Sequence, residues 1–478
     1  MLHLWNSLHR RAELDRHALE EFKPIKSGEV GLYTCGPTVY NSATIGNLRA
    51  YVFDDILART LRFLGYHVTQ VMNVTDVGHL TGDQDLGEDK VEREAIKQGK
   101  TAWEIAREYE ARFFYDTDRL HILRPNIAPR ATEHIEEQIA LIKILEEKGF
   151  VYRISDGMYF DTAKFPAYGK LSGQKLDEKE AGARVEVHPE KKQPSDFALW
   201  KFSPTDQKRQ MEWESPWGIG FPGWHIECSA MSVKYLGQPF DIHCGGIDHL
   251  PVHHENEIAQ SEAAYDKPLA NYWLHNDFLL VDGRRMGKSQ GNMFTLEDID
   301  AHQIDPLAYR LFCLGAHYRS KLNFTWEGLQ GAQNALDRLR KIAMTLRGST
   351  NGISEEHPET LVTFTSALEE DLNTPKALAV MWGMLEADTS EISDEQKLGT
   401  LFKMDEVLGF NLVEEEAPEP TEVPEEVQVL QRERDEARQQ KDFKNADRLR
   451  QEIKEKGWLV EDQPKGTSTV SRCSSGRS

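Results

Sequence analysis

The sequence predicts an α/β protein: a doubly wound parallel sheet with an insertion, followed by an α-helical bundle and a small C-terminal domain. Three observations carry this. Residues 29–74 read as strand, helix, strand. Strand-like sequence resumes at 220–251 after a long stretch of different character. Residues 329–412 carry helical periodicity throughout.

Val30–Thr34 is a short apolar run, and Gly36 and Pro37 mark the turn after it. Leu48, Val52, Ile56 and Phe63 recur at near-helical spacing, with Gly65 suited to the stop. His67–Val74 alternates as a strand does. Two strands joined by a crossover helix form a parallel pair, so ligands are expected beyond the strand C-termini. Helical, highly charged sequence follows from Gly87 to Asp118, then an amphipathic helix at Thr132–Lys148 and strand and turn signals across Gly157–Trp200. These make an insertion of about 87–215 in a first domain of 1–328. The helical bundle is expected at 329–413. The prolines and glutamates of 414–428 read as an acidic linker. Residues 429–467 hold two basic helix candidates broken near Asp442, and 468–478 read as a disordered tail. No internal repeat is found.

The chain has 478 residues, 39% of them hydrophobic and 28% charged, with a formal charge of −22. Its apolar runs are too short to span a bilayer, and MLHLWNSLHRRAELD lacks the order of a secretory signal. No membrane and a cytoplasmic location are therefore expected. The acidic balance argues against a blanket attraction to nucleic acid and leaves a local basic patch as the route to an RNA partner. Five cysteines, an odd number, speak against a disulfide framework. They are core residues or metal ligands.

His253 and Glu257 stand at i and i+4 in HHENE, so a helix would turn both to one side. Cys228 in FPGWHIECSAM and Cys35 after the first strand complete a reasonable zinc donor set. The bland alternative is buried cysteines and a charged helix. His249 and His254 compete as ligands. Cys244 and Cys313 lie in apolar surroundings and read as core, and Cys473 as incidental. Thr44-Ile45-Gly46-Asn47 falls at the strand-to-helix turn, where free N–H groups and the helix dipole suit phosphate. Gly46 allows close approach, and Thr44 and Asn47 add neutral donors. Downstream, residues 284–289 (RRMGKS) form a basic segment able to stabilise charge on leaving pyrophosphate.

These blocks together resemble the cysteinyl-tRNA synthetases, a class I aminoacyl-tRNA synthetase family. CGPTVYNSATIGNLR resembles the family's opening signature. GFPGWHIECSAM, HHENEIAQSE, MGKSQGN, DLNTPKALAVMW and the block from 437 to 467 resemble its later ones, in order. The likeness covers nearly the whole chain. It implies a Rossmann-like catalytic domain with a KMSKS-type loop at 285–289 and a tRNA-binding domain at 429–467. It implies one Zn²⁺ on Cys35, Cys228, His253 and Glu257, joined by the substrate thiolate. Thr75 and Trp224 would line the cysteine pocket. Gly46, Asp248, Arg285, Lys288 and Ser289 would bind ATP with its Mg²⁺, and Lys288, Thr44 and Asn47 would serve the chemistry. The partners implied are L-cysteine, ATP and tRNA(Cys), and the chain is expected to be a monomer. Thr44 and Asn47 replace the family's two signature histidines, Arg285 its first loop lysine, Gly287 its loop serine and Cys244 a usual glycine. Rival readings are a cysteine ligase acting on a small amino sugar and a non-catalytic RNA-binding paralogue.

Overall fold

The computed structural model describes residues 1–9, 19–79, 89–173, 188–204, 208–287, 290–412, 424–439, 442–456, 458–462 and 468–472. Lys288, Ser289, Cys473 and residues 414–423 of the expected linker lie outside them. The chain divides into two compact units, Met1–Leu412 and Val413–Ser478.

Four parallel strands form the central sheet of the first unit. Their spatial order is Ala270–Asn276, Phe240–Gly246, Glu29–Thr34, His67–Met72. The order reverses between Glu29–Thr34 and Phe240–Gly246, where Leu32 pairs with Ile242 and Thr34 with Cys244. That reversal opens a crevice at the strand C-termini. Side-chain alternation assigns the two faces of the sheet. Val30, Leu32, Ile242 and Leu274 pack with Phe53, Leu57 and Leu61 of the helix Ile45–Phe63. Tyr33, Val71 and Trp273 pack with Met231 of the helix Trp224–Leu236 and Ile258 of the helix His253–Tyr265. A sheet covered on both faces explains the near-continuous apolar runs in its strands.

The expected insertion holds the helices Lys90–Gln98, Ala102–Arg119 and Ile135–Glu147. It also holds three strands, Val151–Ile154, Gly157–Phe160 and Phe197–Phe202, of an antiparallel sheet that Gly220–Pro222, just past it, completes. Gly220–Pro222 therefore belongs to this sheet, not to the parallel core whose return the sequence placed there. Apolar content alone does not say which sheet a short strand joins.

Asp76 anchors the insertion. It follows the His67–Met72 strand and accepts the Thr132 N–H at 2.9 Å and hydroxyl at 2.6 Å. Burial raises its pKa to about 6 in spite of those bonds. Between about pH 4, where an unfolded aspartate titrates, and this folded value, the native state keeps a proton that the unfolded chain has lost. Stability from this group is thus fully present below pH 4 and falls as pH rises to 6. Asp76→Asn is expected to flatten that part of the urea-midpoint profile. An unaltered slope would reject Asp76 as its source.

The helices Trp326–Thr350, Pro358–Glu369, Thr374–Glu386 and Asp394–Leu408 form the bundle. One apolar cluster runs from Ile45, Leu48 and Val52 through Leu311 to Leu336, Met381 and Leu408. Buried charge crosses the same junction. Asp55 accepts Arg59 Nε at 2.8 Å and Arg310 Nη2 at 2.6 Å, and Arg310 Nε donates to the Leu408 carbonyl at 2.6 Å. Burial would raise the Asp55 pKa, but the two guanidiniums more than offset it and hold it low.

The second unit pairs the helices Glu425–Gln439 and Phe443–Glu455 with a hairpin of Trp458–Asp462 and Ser468–Arg472. Val427, Ile453, Trp458 and Val460 form its core. Two expectations shift here. The first helix begins inside the stretch read as linker to 428, because Pro424 needs no N–H at a helix start and its carbonyl accepts the Val427 N–H at 2.8 Å. The tail read as disordered from 468 instead supplies a strand, since β-branched Thr469 and Val470 meet an antiparallel partner.

Candidate active site at the strand reversal

Cys35 follows the strand Glu29–Thr34, and its N–H donates to the Cys244 carbonyl across the reversal at 3.2 Å. Cys228 projects from the helix Trp224–Leu236, and His253 and Glu257 from one side of the helix His253–Tyr265. One ligand atom from each of the four lies within 4.8 Å of the others, and all four residues are buried. Residues more than two hundred positions apart thus meet as one donor set.

The electrostatics suit a cation. Burial raises the Cys35 thiol well above its usual range, with the Cys228 hydrogen bond and the Glu257 charge adding to it. The Cys35 hydrogen bond pulls Cys228 down, but burial and Glu257 more than offset it. Burial, with His225 and His249 nearby, lowers His253 well below its usual value and keeps it neutral. Glu257 Oε1 is buried, with His253 Nε2 at 3.0 Å but outside hydrogen-bonding geometry among the described residues. A dication would deprotonate the thiols and use that oxygen. Two thiolates, a neutral imidazole and a carboxylate fit zinc.

Cys35, His243, His254 and Glu257 satisfy the same distance criterion. His243 Nε2 lies 2.9 Å from Glu257 Oε2, His254 Nε2 lies 3.2 Å from Cys35 Sγ, and His254 Nδ1 lies 2.8 Å from His275 Nε2. These rings hold the carboxylate and the thiol in place. The sequence reading missed His243. Its signal is strand alternation, which sets it two residues from Gly245 on the side of Tyr33. Cys244 faces the other way, in the cluster with Phe53, Leu57 and Tyr318. It belongs to neither donor group, so it is not placed to compete for a metal. Cys313 is buried in the bundle-side core, and burial raises its thiol to about 11.

A cavity of about 590 Å³ runs from these residues to the start of the helix Ile45–Phe63. Trp224 lines it and stacks on His253, with centroids 4.3 Å apart and planes at 29°. Thr75 also lines it, but its hydroxyl donates to Glu227 Oε2 at 2.9 Å. Glu227 is fully buried and meets His79 Nε2 at 2.5 Å. Neither partner was singled out from sequence. Asp248 lines the cavity as well, and a Cβ on Gly246 would stand 2.3 Å from its Oδ1, so any larger residue there would push that carboxylate aside.

Thr44 and Asn47 both line the cavity and also bond each other. Thr44 Oγ1 donates to Asn47 Oδ1 at 2.7 Å, which also accepts the Thr44 N–H at 3.1 Å. They form a capping box that fixes the helix start. Arg285 is not in a loop. Arg284–Arg285 pairs with Leu280 and Val281 across a turn at Asp282 and Gly283, both with positive φ. Met286 follows, and its Sδ lies 3.0 Å from where a Cβ on Gly46 would stand.

Residues 21–334 match the model of the tRNA synthetases class I (C) catalytic domain. The chain is 51% identical over 446 residues to cysteine–tRNA ligase 1 of Burkholderia lata, covering 93% of each chain. It belongs to the cysteine–tRNA ligase family. The cysteine–tRNA ligase of Treponema denticola is 45% identical over 93% of this chain and 96% of its own. Residues 421–468 match the cysteinyl-tRNA ligase anticodon binding domain, so the family likeness extends into the second unit. In fold, the chain resembles a methionyl-tRNA synthetase of Mycobacterium tuberculosis, with a TM-score of 0.54 and 15% identity over 80% of this chain and 90% of that one. This is the Rossmann-like class I architecture of a cysteine–tRNA ligase. Among the described residues no helix is long and apolar enough to cross a membrane.

Proposed function

We propose that this chain is a ligase that activates L-cysteine with ATP, giving cysteinyl-adenylate and pyrophosphate, and passes the cysteine to the 3′-terminal ribose of tRNA(Cys). The observation that carries this reading is the convergence of Cys35, Cys228, His253 and Glu257 as one donor set, of which Cys35, Cys228 and His253 line a cavity of small-molecule size. Zn²⁺ held by these four would supply a soft Lewis acid to which a cysteine thiolate binds far better than a serine hydroxyl.

The chain's own residues do the positioning. Trp224, held by its stack on His253, closes the amino-acid end of the cavity. Thr75 is fixed by Glu227 beside it. Asp248, at the end of the strand Phe240–Gly246, faces the place of the ATP ribose. Gly46 lets phosphate approach the helix start, while Thr44 and Asn47 hold that start in shape and accept no proton. Arg285, Lys288 and Ser289 serve the phosphates, with Mg²⁺ accompanying ATP. The substrate carboxylate then attacks the α-phosphorus in line, and pyrophosphate leaves toward these cationic groups. Alignment and preorganised charge supply the rate.

Pyrophosphate exchange by zinc-loaded protein tests the reading, followed by charging of tRNA(Cys). Cysteine is expected to support exchange, and serine to do so less well by about 10⁴-fold, the scale reached when a site is built around a group its competitor lacks. No cysteine-dependent exchange, or equal use of serine, would overturn it.

A further inference from the structure

Part of the helix start is already engaged. The Thr44 hydroxyl is taken by Asn47, and the first helical N–H, that of Ile45, donates to the Phe294 carbonyl at 2.8 Å. Asp248 and Asp277 bring carboxylates to the lining. Among the described lining residues, only Lys90 and Arg285 are lysine or arginine. Arg285 was expected. Lys90 comes from the insertion, and no sequence motif pointed to it.

We propose that Lys90 is a phosphate-binding residue for ATP in the activation step. This rests on the proposed function and adds to it a cation supplied by the insertion. The placement of Lys90 is built. Its N–H donates to the His79 carbonyl at 3.0 Å. The His79 ring meets Glu227 Oε1 at 2.5 Å, on the helix that carries Trp224 and Cys228. Asp89 caps the next turn through the N–H groups of Val91 at 2.8 Å and Glu92 at 2.9 Å, and pairs with buried Arg209. The Lys90 ammonium lies 5.9 Å from the ring centroid of Tyr40, which lines the same cavity. Lys90 is also the first residue of its helix, where the dipole's positive end adds to its charge. A basic group held inside a cavity of this volume suits the phosphates of a bound nucleotide.

The test compares the parent protein, Lys90→Met and Lys90→Arg in cysteine-dependent pyrophosphate exchange. Methionine keeps the aliphatic stem and removes the charge. Lys90→Met is expected to lower kcat/KM for ATP by about 10- to 100-fold, the scale of one charge-assisted hydrogen bond. KM for cysteine, zinc content and thermal midpoint should stay near parent values, and Lys90→Arg should recover most of the loss. Parent-like kcat/KM for ATP in Lys90→Met overturns the proposal. So does an arginine variant as impaired as the methionine one, or a defect confined to transfer from preformed cysteinyl-adenylate to tRNA. A parent protein without exchange overturns the function itself, which separates the two failures.

Discussion

Cys228→Ser is expected to lose bound zinc and cysteine activation together. At neutral pH the serine hydroxyl stays protonated, so a neutral oxygen would replace a thiolate. The remaining donors, Cys35, His253 and Glu257, would then hold the ion with one less charge and one less soft ligand. Changing groups that merely contact ligands costs about 10- to 100-fold in metal affinity or activity, and removing a ligand should exceed that. The side chain is almost isosteric and buried, so the thermal midpoint of metal-free protein should change little. Metal content by elemental analysis and exchange kinetics read the two effects separately. Full zinc occupancy with normal kinetics would remove Cys228 from the site.

Lys288→Ala is expected to slow adenylate formation by about 10²–10³-fold, the cost of losing one preorganised donor at a centre of developing charge. Lys288 lies two residues past Met286, whose sulfur sits against Gly46 at the helix start. The segment therefore leaves the Arg284–Arg285 strand beside the start of the helix Ile45–Phe63, on the lining of the cavity. Charge building on pyrophosphate has no substitute for it in neutral Thr44 and Asn47. Single-turnover formation of cysteinyl-adenylate measures the step. An unchanged rate would refute the role.

The unit of strand, helix and strand was legible because each part carries its own period and its own stop. Helix Ile45–Phe63 ends just before Gly65, which takes a φ of +89°. His253 and Glu257 were legible as a pair because four residues is one helical turn. What escaped was whatever depends on the third dimension. His243 and Cys244 are neighbours in sequence with similar burial, yet one contacts Glu257 and the other packs under Phe53. Only the sheet's two faces tell them apart. The Glu227–His79 contact joins distant parts of the core, and Lys90's place in the cavity brings the insertion to it; no spacing encodes either. Thr44 and Asn47 were read as open donors because their position matched a phosphate turn. Their three-residue separation also fits a capping box, which the spacing alone did not reveal and which engages the Thr44 hydroxyl and Asn47 Oδ1.

The fully buried Asp55 lies in the same unbroken helix whose first turn borders the cavity. Eleven residues separate Thr44 from Asp55, about 16 Å at the rise of an α-helix. Arg310 grips the middle of that rod and also holds the end of the last bundle helix through Leu408. One continuous length of hydrogen-bonded backbone thus ties the seat of the bundle to the border of the cavity.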